Sequence, residues 1–277
     1  MAFSIMTNTA SIGAQRKLQN TTMKQSASIQ RLASGFRINQ AADDAAGLAI
    51  SSRLTAQLRG LKQAERNAND GISMIQTAEG ALGEINGMLS RMRELAVQSA
   101  NGGTLGAQER GFLNQEFQDL EAEIERIVDV TEFNGQSLID GSLSGAGVSF
   151  QVGIFNTAAD RIALSIDNSD ATTLGIDTLA LDTEGNSQAA ITALDTAINT
   201  ISSSRANLGT KQNRLNVTVS NLGSVFENLS AANSRIQDVN VAEESAALTR
   251  SQILAQAGTT VLAQANQLPS LALSLLG

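Results

Sequence analysis

The chain has 277 residues and a net charge of −8, and it contains no Cys, His, Trp or Tyr. Without Cys and His it has no disulfide, thiol nucleophile, thiolate zinc site or Ser-His-Asp triad. The acidic balance and an aromatic content of 3% disfavour nucleic-acid binding, which needs cations for phosphates and rings for base stacking. We therefore expect no catalytic, cofactor or metal site. Because every long uncharged stretch is interrupted by Gln and Asn, we also expect no membrane span.

The first half of the chain predicts two helices. Apolar residues recur at spacings of three and four from Ala45 to about Ser99, and again from Leu113 to Ile127. The glycines after Asn101 are typical of a helix end. Residues 133–135, Phe-Asn-Gly, indicate a turn after the second helix.

Two acidic motifs in the chain favour structural over chemical roles. Asp43 and Asp44 are adjacent, so they do not face each other as an acid/base pair, and they suit the start of a helix. Residues 167–170, Asp-Asn-Ser-Asp, faintly resemble a calcium loop but lack its Gly and its bidentate Glu. We interpret them as a solvated turn.

The middle of the chain changes character. Residues 135–187 are rich in Gly, Ser, Thr and Asp. Two alternating runs within them, 148–152 and 161–166, predict the strands of a β-hairpin with a connecting loop at 156–160.

The strongest helical periodicity follows this region. Large apolar residues hold an alternating three/four register from Ile191 to Ile236, which favours one long helix packed along other helices. The predicted seam of the resulting bundle comprises Ile75, Leu82, Leu89, Leu120, Ile124, Leu215, Leu222 and Leu229.

The two ends of the chain carry weaker apolar stripes in segments filled with small and polar residues. Such segments bury little on their own, so we expect them to order by packing against each other or against copies of the same chain. Residues 1–42 contain five cations and no acid, whereas residues 236–277 are weakly acidic, so the two ends would attract each other if brought together. Chance is the alternative explanation of this asymmetry. The predicted polymerisation residues are Ile5, Ile12, Leu18, Ile29, Leu32, Phe36, Leu254, Val261 and Leu268.

Several sequence blocks resemble those of the bacterial flagellins, the subunits of the flagellar filament. The N-terminal blocks are residues 32–50, 66–82 and 91–98, the last reading Arg-Met-Arg-Glu-Leu-Ala-Val-Gln. The C-terminal blocks are residues 221–223, 234–238, 252–259 and 261–269, followed by Leu275-Leu276. Their presence at both ends, in this order, is specific, whereas the middle matches only loosely.

The resemblance implies a mainly α fold of long antiparallel helices in a coiled-coil-like bundle, with a small β-hairpin and paired terminal helices. It implies an inner filament-core domain of residues 1–43 and 235–277. An outer helical domain would cover residues 44–234, with the hairpin at about 135–187. The short middle leaves no room for further outer domains. By resemblance, the chain polymerises into the extracellular flagellar filament for swimming motility, after travelling unfolded through type III export and assembling at the distal tip.

The resemblance also implies partners. The main one is the chain itself, as a helical homopolymer. The others are an export chaperone on the C-terminal tail, the filament cap and the hook-junction proteins. Arg91, Leu95 and Glu116 occupy places where family members contact a vertebrate innate immune receptor.

Three alternatives stay open at this point. A hook–filament junction protein shares the coiled termini, although the match at the last residues argues against it. Some flagellins carry a protease domain in their middle, but the missing His and the short middle argue against an enzyme. The third is a helical binding module whose tails are only linkers.

Overall fold

The computed structural model describes residues 7–103, 105–145 and 147–274, with side chains described up to residue 267. The chain divides into two compact units, one formed by Met1–Ala56 with Asn228–Gly277 and the other by Gln57–Glu227. Both divisions fall inside long helices. The boundaries predicted from the sequence, 43/44 and 234/235, lie instead near the ends of those helices.

Most of the described chain is helical. The helices are α1 (Thr9–Ser34), α2 (Ala45–Ser99), α3 (Ala107–Val130), the four-residue α4 (Ala171–Leu174), α5 (Glu184–Gln237) and α6 (Val241–Ser274). With 54 residues, α5 is about 80 Å long. The mainly α fold expected from the sequence is confirmed, and α2 has the bounds that its periodicity predicted.

The unit Gln57–Glu227 is a helical bundle in which α3 and α5 both run antiparallel to α2. Arg91 pairs with Glu116 at 2.8 Å and Arg110 donates to the Ser99 carbonyl oxygen at 3.1 Å, which together set the direction of α3. Arg93 pairs with Asp195 at 2.6 Å and Arg205 with Glu79 at 3.7 Å, which set the direction of α5. The bundle core is apolar and closely packed.

Two small antiparallel hairpins follow α3. Strands β1 (Glu132–Phe133) and β2 (Gln136–Ser137) flank a two-residue turn in which Asn134 and Gly135 both have positive φ. Strands β3 (Val148–Gln151) and β4 (Arg161–Leu164) pair with Val148 opposite Leu164, which confirms the predicted hairpin. Buried Ile162 and Leu164 join the bundle core, because alternate residues of β4 face inward.

Both acidic motifs cap helices: this was expected for Asp44, whereas residues 167–170 were interpreted as a solvated turn, and Asp170 instead begins a short helix. The Gly47 amide donates a hydrogen bond of 2.8 Å to Asp44 Oδ1 at the start of α2. The Thr173 amide donates one of 2.6 Å to Asp170 Oδ1 at the start of α4. The sequence reading missed α4 itself, because a four-residue helix has no period to detect.

A buried polar cluster fixes the end of α2 to the segment that leads into α5. The Ser99 hydroxyl donates a hydrogen bond of 2.8 Å to the Leu181 carbonyl oxygen, and Ser187 Oγ lies 2.9 Å from Ser99 Oγ. On the other side of the segment, the Leu181 amide donates to Asn114 Oδ1 at 2.7 Å. Both backbone groups of Leu181 are therefore satisfied inside the fold.

Candidate assembly site

The two terminal helices pair through small side chains. Ser11 and Ser28 of α1 are buried, as are Ser251 and Ala265 of α6. A Cβ atom on Gly258 would lie 3.3 Å from Leu18 Cδ1, so the glycine lets the two helices approach closely. Because small residues form this seam, the pairing of α1 with α6 uses few of the large apolar side chains on either helix.

Hydrogen bonds fix the register of the pair at the start of α1. The Asn8 side-chain amide donates to the Ala265 carbonyl oxygen at 2.8 Å, and the Ser11 hydroxyl donates to Asn266 Oδ1 at 2.7 Å. Asn8 also caps α1 by accepting a hydrogen bond from the Ser11 amide. These directional contacts align two helices whose small-residue seam would otherwise tolerate sliding.

The same unit leaves many large apolar side chains exposed to solvent. Each is between 40% and 61% exposed, and they are Ile12, Met23, Ile29, Phe36, Val241, Ile253, Leu254 and Val261. All of these except Phe36 lie on α1 or α6. Scattered exposed apolar residues are ordinary, but seven on one helix pair are typical of a protein–protein contact surface.

A groove of about 580 Å³ runs along the helix pair between Lys17 on α1 and Leu254 and Val261 on α6. Its floor is formed by small residues, including Gly13 and Ala14. Arg16, Lys17 and Lys24 of α1 are exposed and make no ion pair among the described residues. Of these three cations, Lys17 lines the groove, which is otherwise mostly apolar.

A short junction joins the two places where the helices break. The Arg37 amide donates to the Gln237 carbonyl oxygen at 2.7 Å, and the Val239 amide donates to the Gly35 carbonyl oxygen at 2.9 Å. These bonds form an antiparallel bridge between Phe36 and Asp238. The predicted attraction between the basic and acidic ends is present at one pair, where Arg31 lies 3.8 Å from Glu244.

Asp43 organises the segment between α1 and α2. Its carboxylate accepts hydrogen bonds from the backbone amides of Asn39 and Gln40, and it pairs with Arg31 at 3.2 Å. The two amide bonds, followed by the Arg31 contacts, lower the Asp43 pKa from its ordinary value. The ionised carboxylate thus holds this turn.

The predicted polymerisation residues divide by exposure. Ile12, Ile29, Phe36, Leu254 and Val261 are exposed, whereas Leu18 and Leu32 are half-buried beside the seam. Ile5 and the side chain of Leu268 lie outside the described residues. The sequence reading missed the small residues of the seam. Ser251, Gly258 and Ala265 recur every seven residues, a heptad signal that a search for large apolar residues overlooks.

The predicted bundle-seam residues lie as follows. The six that are buried are Ile75, Leu82, Leu89, Ile124, Leu215 and Leu222, while Leu120 and Leu229 are half-buried.

The predicted receptor-contact residues are not equally accessible. Arg91 and Glu116 are exposed, and their ion pair is extended by a 3.0 Å contact from Arg91 to Glu94. These contacts, that with Glu116 foremost, raise the Arg91 pKa. Leu95 is only 1% exposed and belongs to the bundle core. Leu95 therefore lies beneath this surface in the single chain, and its contact with a partner stays a prediction.

Two family models match this chain in order. The bacterial flagellin N-terminal helical region matches residues 5–144, and the bacterial flagellin C-terminal helical region matches residues 191–276. A flagellin from Halalkalibacterium halodurans is 46% identical over 271 residues, which cover 97% of this chain and 98% of the relative. The chain belongs to the bacterial flagellin family.

Further comparisons agree with the family assignment. Flagellin A from Vibrio cholerae is 36% identical over an alignment of 381 residues that covers all of both chains. That alignment is longer than this chain, so the relative contains residues that this short flagellin lacks. The crystal structure of Bacillus cereus flagellin aligns with a TM-score of 0.50 and 35% identity, covering 61% of this chain and 94% of that one.

As a flagellin, the chain is a structural subunit of the extracellular bacterial flagellar filament and serves motility. The two family models leave residues 145–190 unmatched, and β3, β4 and α4 occupy this span. It holds no further outer domain. No helix among the residues given a structure here has the length and apolar content to cross a membrane.

Proposed function

We propose that the terminal helices of this flagellin carry polymerisation, with residues 1–43 and 235–277 forming the filament core and residues 44–234 the outer layer. The observation that carries the proposal is the α1–α6 pair, which buries small residues while leaving seven large apolar side chains exposed. A pair that is complete within one subunit would bury such side chains. Different faces of the pair meet different copies, so the contact does not close on itself and a filament grows.

Polymerisation is tested by replacing exposed apolar residues of α6. In the double variant Leu254→Ser, Val261→Ser we expect seeded growth to fall at least about tenfold, because each buried Leu or Val contributes about 1.5–3 kcal/mol to an interface. Val217→Ser is the matched control, since Val217 is 70% exposed on α5 outside this pair. Light scattering with short filament seeds and negative-stain microscopy give the readout.

Two outcomes would contradict the assignment to the helix pair. One is normal filament growth by the α6 double variant with unchanged helicity. The other is filament formation by a chain that lacks residues 236–277, which we expect to stay a soluble monomer. Lack of growth by the unaltered protein under filament-forming salt would instead favour the binding-module alternative.

Export is the second part of the proposal. The subunit travels unfolded and folds at the distal tip beneath the filament cap, after the hook-junction proteins have assembled. Its absence of Cys avoids cross-links that would block threading, and its single Pro limits slow isomerisation. Before export, the chaperone holds α6 by the row that contains Leu254 and Val261. Binding of the purified cognate chaperone to the double variant, measured by calorimetry, is expected to weaken in parallel with polymerisation.

The receptor is a further proposed partner. Arg91 and Glu116 form an exposed charged surface on α2 and α3, and Leu95 packs beneath it. In a receptor reporter assay, Arg91→Ala is expected to reduce signalling, whereas Arg126→Ala, which removes another exposed paired arginine of the bundle, is not. Normal signalling from Arg91→Ala combined with Leu95→Ala would count against recognition at this surface.

Catalysis is no part of the proposed function. Family members are structural proteins, and the chain offers no His or Cys for nucleophilic or acid–base work. A general peptidase assay on the purified protein is expected to give no turnover above background.

A further inference from the structure

Three Asn-Gly steps occur in the chain, at Asn86–Gly87, Asn101–Gly102 and Asn134–Gly135. In such a step, the backbone nitrogen of the glycine can attack the side-chain amide carbon of the asparagine, because glycine has no side chain to shield that nitrogen. The reaction needs rotation of the backbone to bring the two atoms together. The three steps share the same chemistry and differ in how the fold holds them.

Two of the three steps are held by regular structure. Asn86 lies inside α2, where the following amide is engaged in the helical hydrogen bonds, and its Oδ1 atom is buried. Asn134 has a φ of 53° in the turn between β1 and β2, and both flanking residue pairs are in register. In each case the attack requires local opening of a hydrogen-bonded element.

Asn101 lies in a different environment. It follows the last turn of α2 and lies outside any helix or hairpin, and it is exposed together with both glycines that come after it, as Asn134 and Gly135 also are. Its Oδ1 atom accepts a hydrogen bond of 3.2 Å from the Gly103 amide. This hydrogen bond turns the side chain towards the following backbone and polarises the carbonyl that is attacked. Among the described residues, the Gly102 amide donates no hydrogen bond.

We propose that Asn101 is a site of spontaneous deamidation in this protein, a property separate from its role in the filament. The Gly102 nitrogen loses its proton to solvent and forms a bond to the Asn101 side-chain carbon, and the side-chain nitrogen leaves as ammonia. Water then opens the resulting five-membered imide at either carbonyl. The products are an aspartate or an isoaspartate at position 101, with one added negative charge and, for isoaspartate, one added backbone methylene.

The new charge forms at the end of α2, close to contacts with Arg110 of α3 and Glu184 of α5. The Glu184 carboxylate, at the start of α5, lies where a side chain on Gly102 would begin, one residue along the chain from the new charge. The Asn101 carbonyl oxygen accepts a hydrogen bond from Arg110, which also donates to Ser99. We expect the new carboxylate to be repelled by Glu184 and to disturb the Arg110 contacts that link α2 to α3.

The test follows all three steps in one sample. The purified full-length protein is incubated in mildly alkaline buffer, and each Asn-Gly peptide is quantified by mass spectrometry with isoaspartate-specific labelling. We expect Asn101 to convert at least about tenfold faster than Asn86 or Asn134, since those two need local opening. In strong denaturant the three rates should become similar. Equal rates in the folded protein, or a preference for Asn101 that persists in denaturant, would overturn the proposal.

Two variants separate the chemistry from general loosening of the turn. Gly102→Ala should slow conversion at position 101 several-fold, because the added methyl group shields the nitrogen. Gly102 does not have positive φ, and only the flexible Glu184 side chain must move to admit the methyl group. Asn134→Gln, the matched control, should leave the Asn101 rate unchanged. An unchanged Asn101 rate in Gly102→Ala would contradict attack by the Gly102 nitrogen.

Discussion

The hydroxyl of Ser99 donates a 2.8 Å hydrogen bond to the carbonyl oxygen of Leu181, and both residues are essentially inaccessible to solvent. Ser99→Ala leaves this carbonyl without its buried donor, whereas the Ser187 hydroxyl keeps its hydrogen bond to the Thr183 carbonyl oxygen. We expect it to lower the free energy of unfolding by about 1–2 kcal/mol. Urea unfolding of the monomer, followed by circular dichroism, measures the change.

The matched control for Ser99 lies on the same helix. Ser90 is exposed, and its hydroxyl bonds only to the Asn86 carbonyl of its own helix. Ser90→Ala is therefore expected to change stability by less than about 0.5 kcal/mol. If the two variants unfold at the same urea concentration, the buried cluster contributes nothing specific.

The contributions of two glutamates on α3 to the free energy of unfolding should depend on pH in opposite directions. Burial, followed by repulsion from Asp177 and Glu125, raises the Glu121 pKa. An acid whose pKa is raised by folding stabilises the fold when protonated, and this contribution is lost as the pH rises through the raised pKa. Glu121→Gln should therefore stabilise the protein at neutral pH, and the gain should vanish as the pH falls through the pKa of Glu121.

Glu123 provides the opposite case two residues away. Its hydrogen bond from Arg126 lowers its pKa, so its contribution is present above the ordinary glutamate pKa and is lost as the pH falls through the lowered pKa. Glu123→Gln should slightly destabilise the protein at neutral pH. The urea concentrations at which both variants are half unfolded, measured at neutral and acidic pH, test the predicted direction of each change in stability. Shifts in the same direction would contradict these electrostatic assignments.

The turn around Asp43 should weaken in acid. Since folding lowers the Asp43 pKa, its stabilising effect is present above the unfolded pKa and is lost as the pH falls through the folded one. The difference between the unaltered protein and Asp43→Asn should therefore shrink in that range. Amide chemical shifts of Asn39 and Gln40 report the carboxylate directly, and they should titrate with a midpoint below that of an unfolded aspartate. A midpoint at or above the ordinary value would contradict this account.

The seam between α1 and α6 should not accept a larger side chain. Ala265 is 6% exposed in that seam, so Ala265→Leu forces the helices apart at a cost of about 1–3 kcal/mol. We expect seeded filament growth to be lost. Ala263→Leu adds the same atoms at an exposed position of α6 and should leave the helix pair intact. Equal growth of both variants would mean that the seam is not closely packed in the filament.

The long helices were predictable from the sequence, because large apolar residues that recur every three or four positions fall on one face of a helix and are buried together. The strands at Val148 and Arg161 were predictable in a similar way, from apolar residues at alternate positions. The terminal seam was harder to find. Its buried row, Ser251, Gly258 and Ala265, is no more apolar than the residues around it, so a search for large apolar residues does not find it. Leu254 and Val261 stand out as large apolar residues, but they remain exposed. Leu95 illustrates a second limit. The resemblance suggested a role for this residue, but it could not show that the side chain is buried.

The bridge between Phe36 and Asp238 has a consequence for the order of folding. The hydrogen bond from the Arg37 side chain to the Ile236 carbonyl oxygen joins residues 199 positions apart. Closing so long a loop in an unfolded chain costs entropy that no local contact near Phe36 repays. The first helix of the chain therefore gains its partner only after nearly all of the remaining chain is present. The N-terminal helix is thus synthesised early but pairs late. A substitution in either terminal segment affects this pairing.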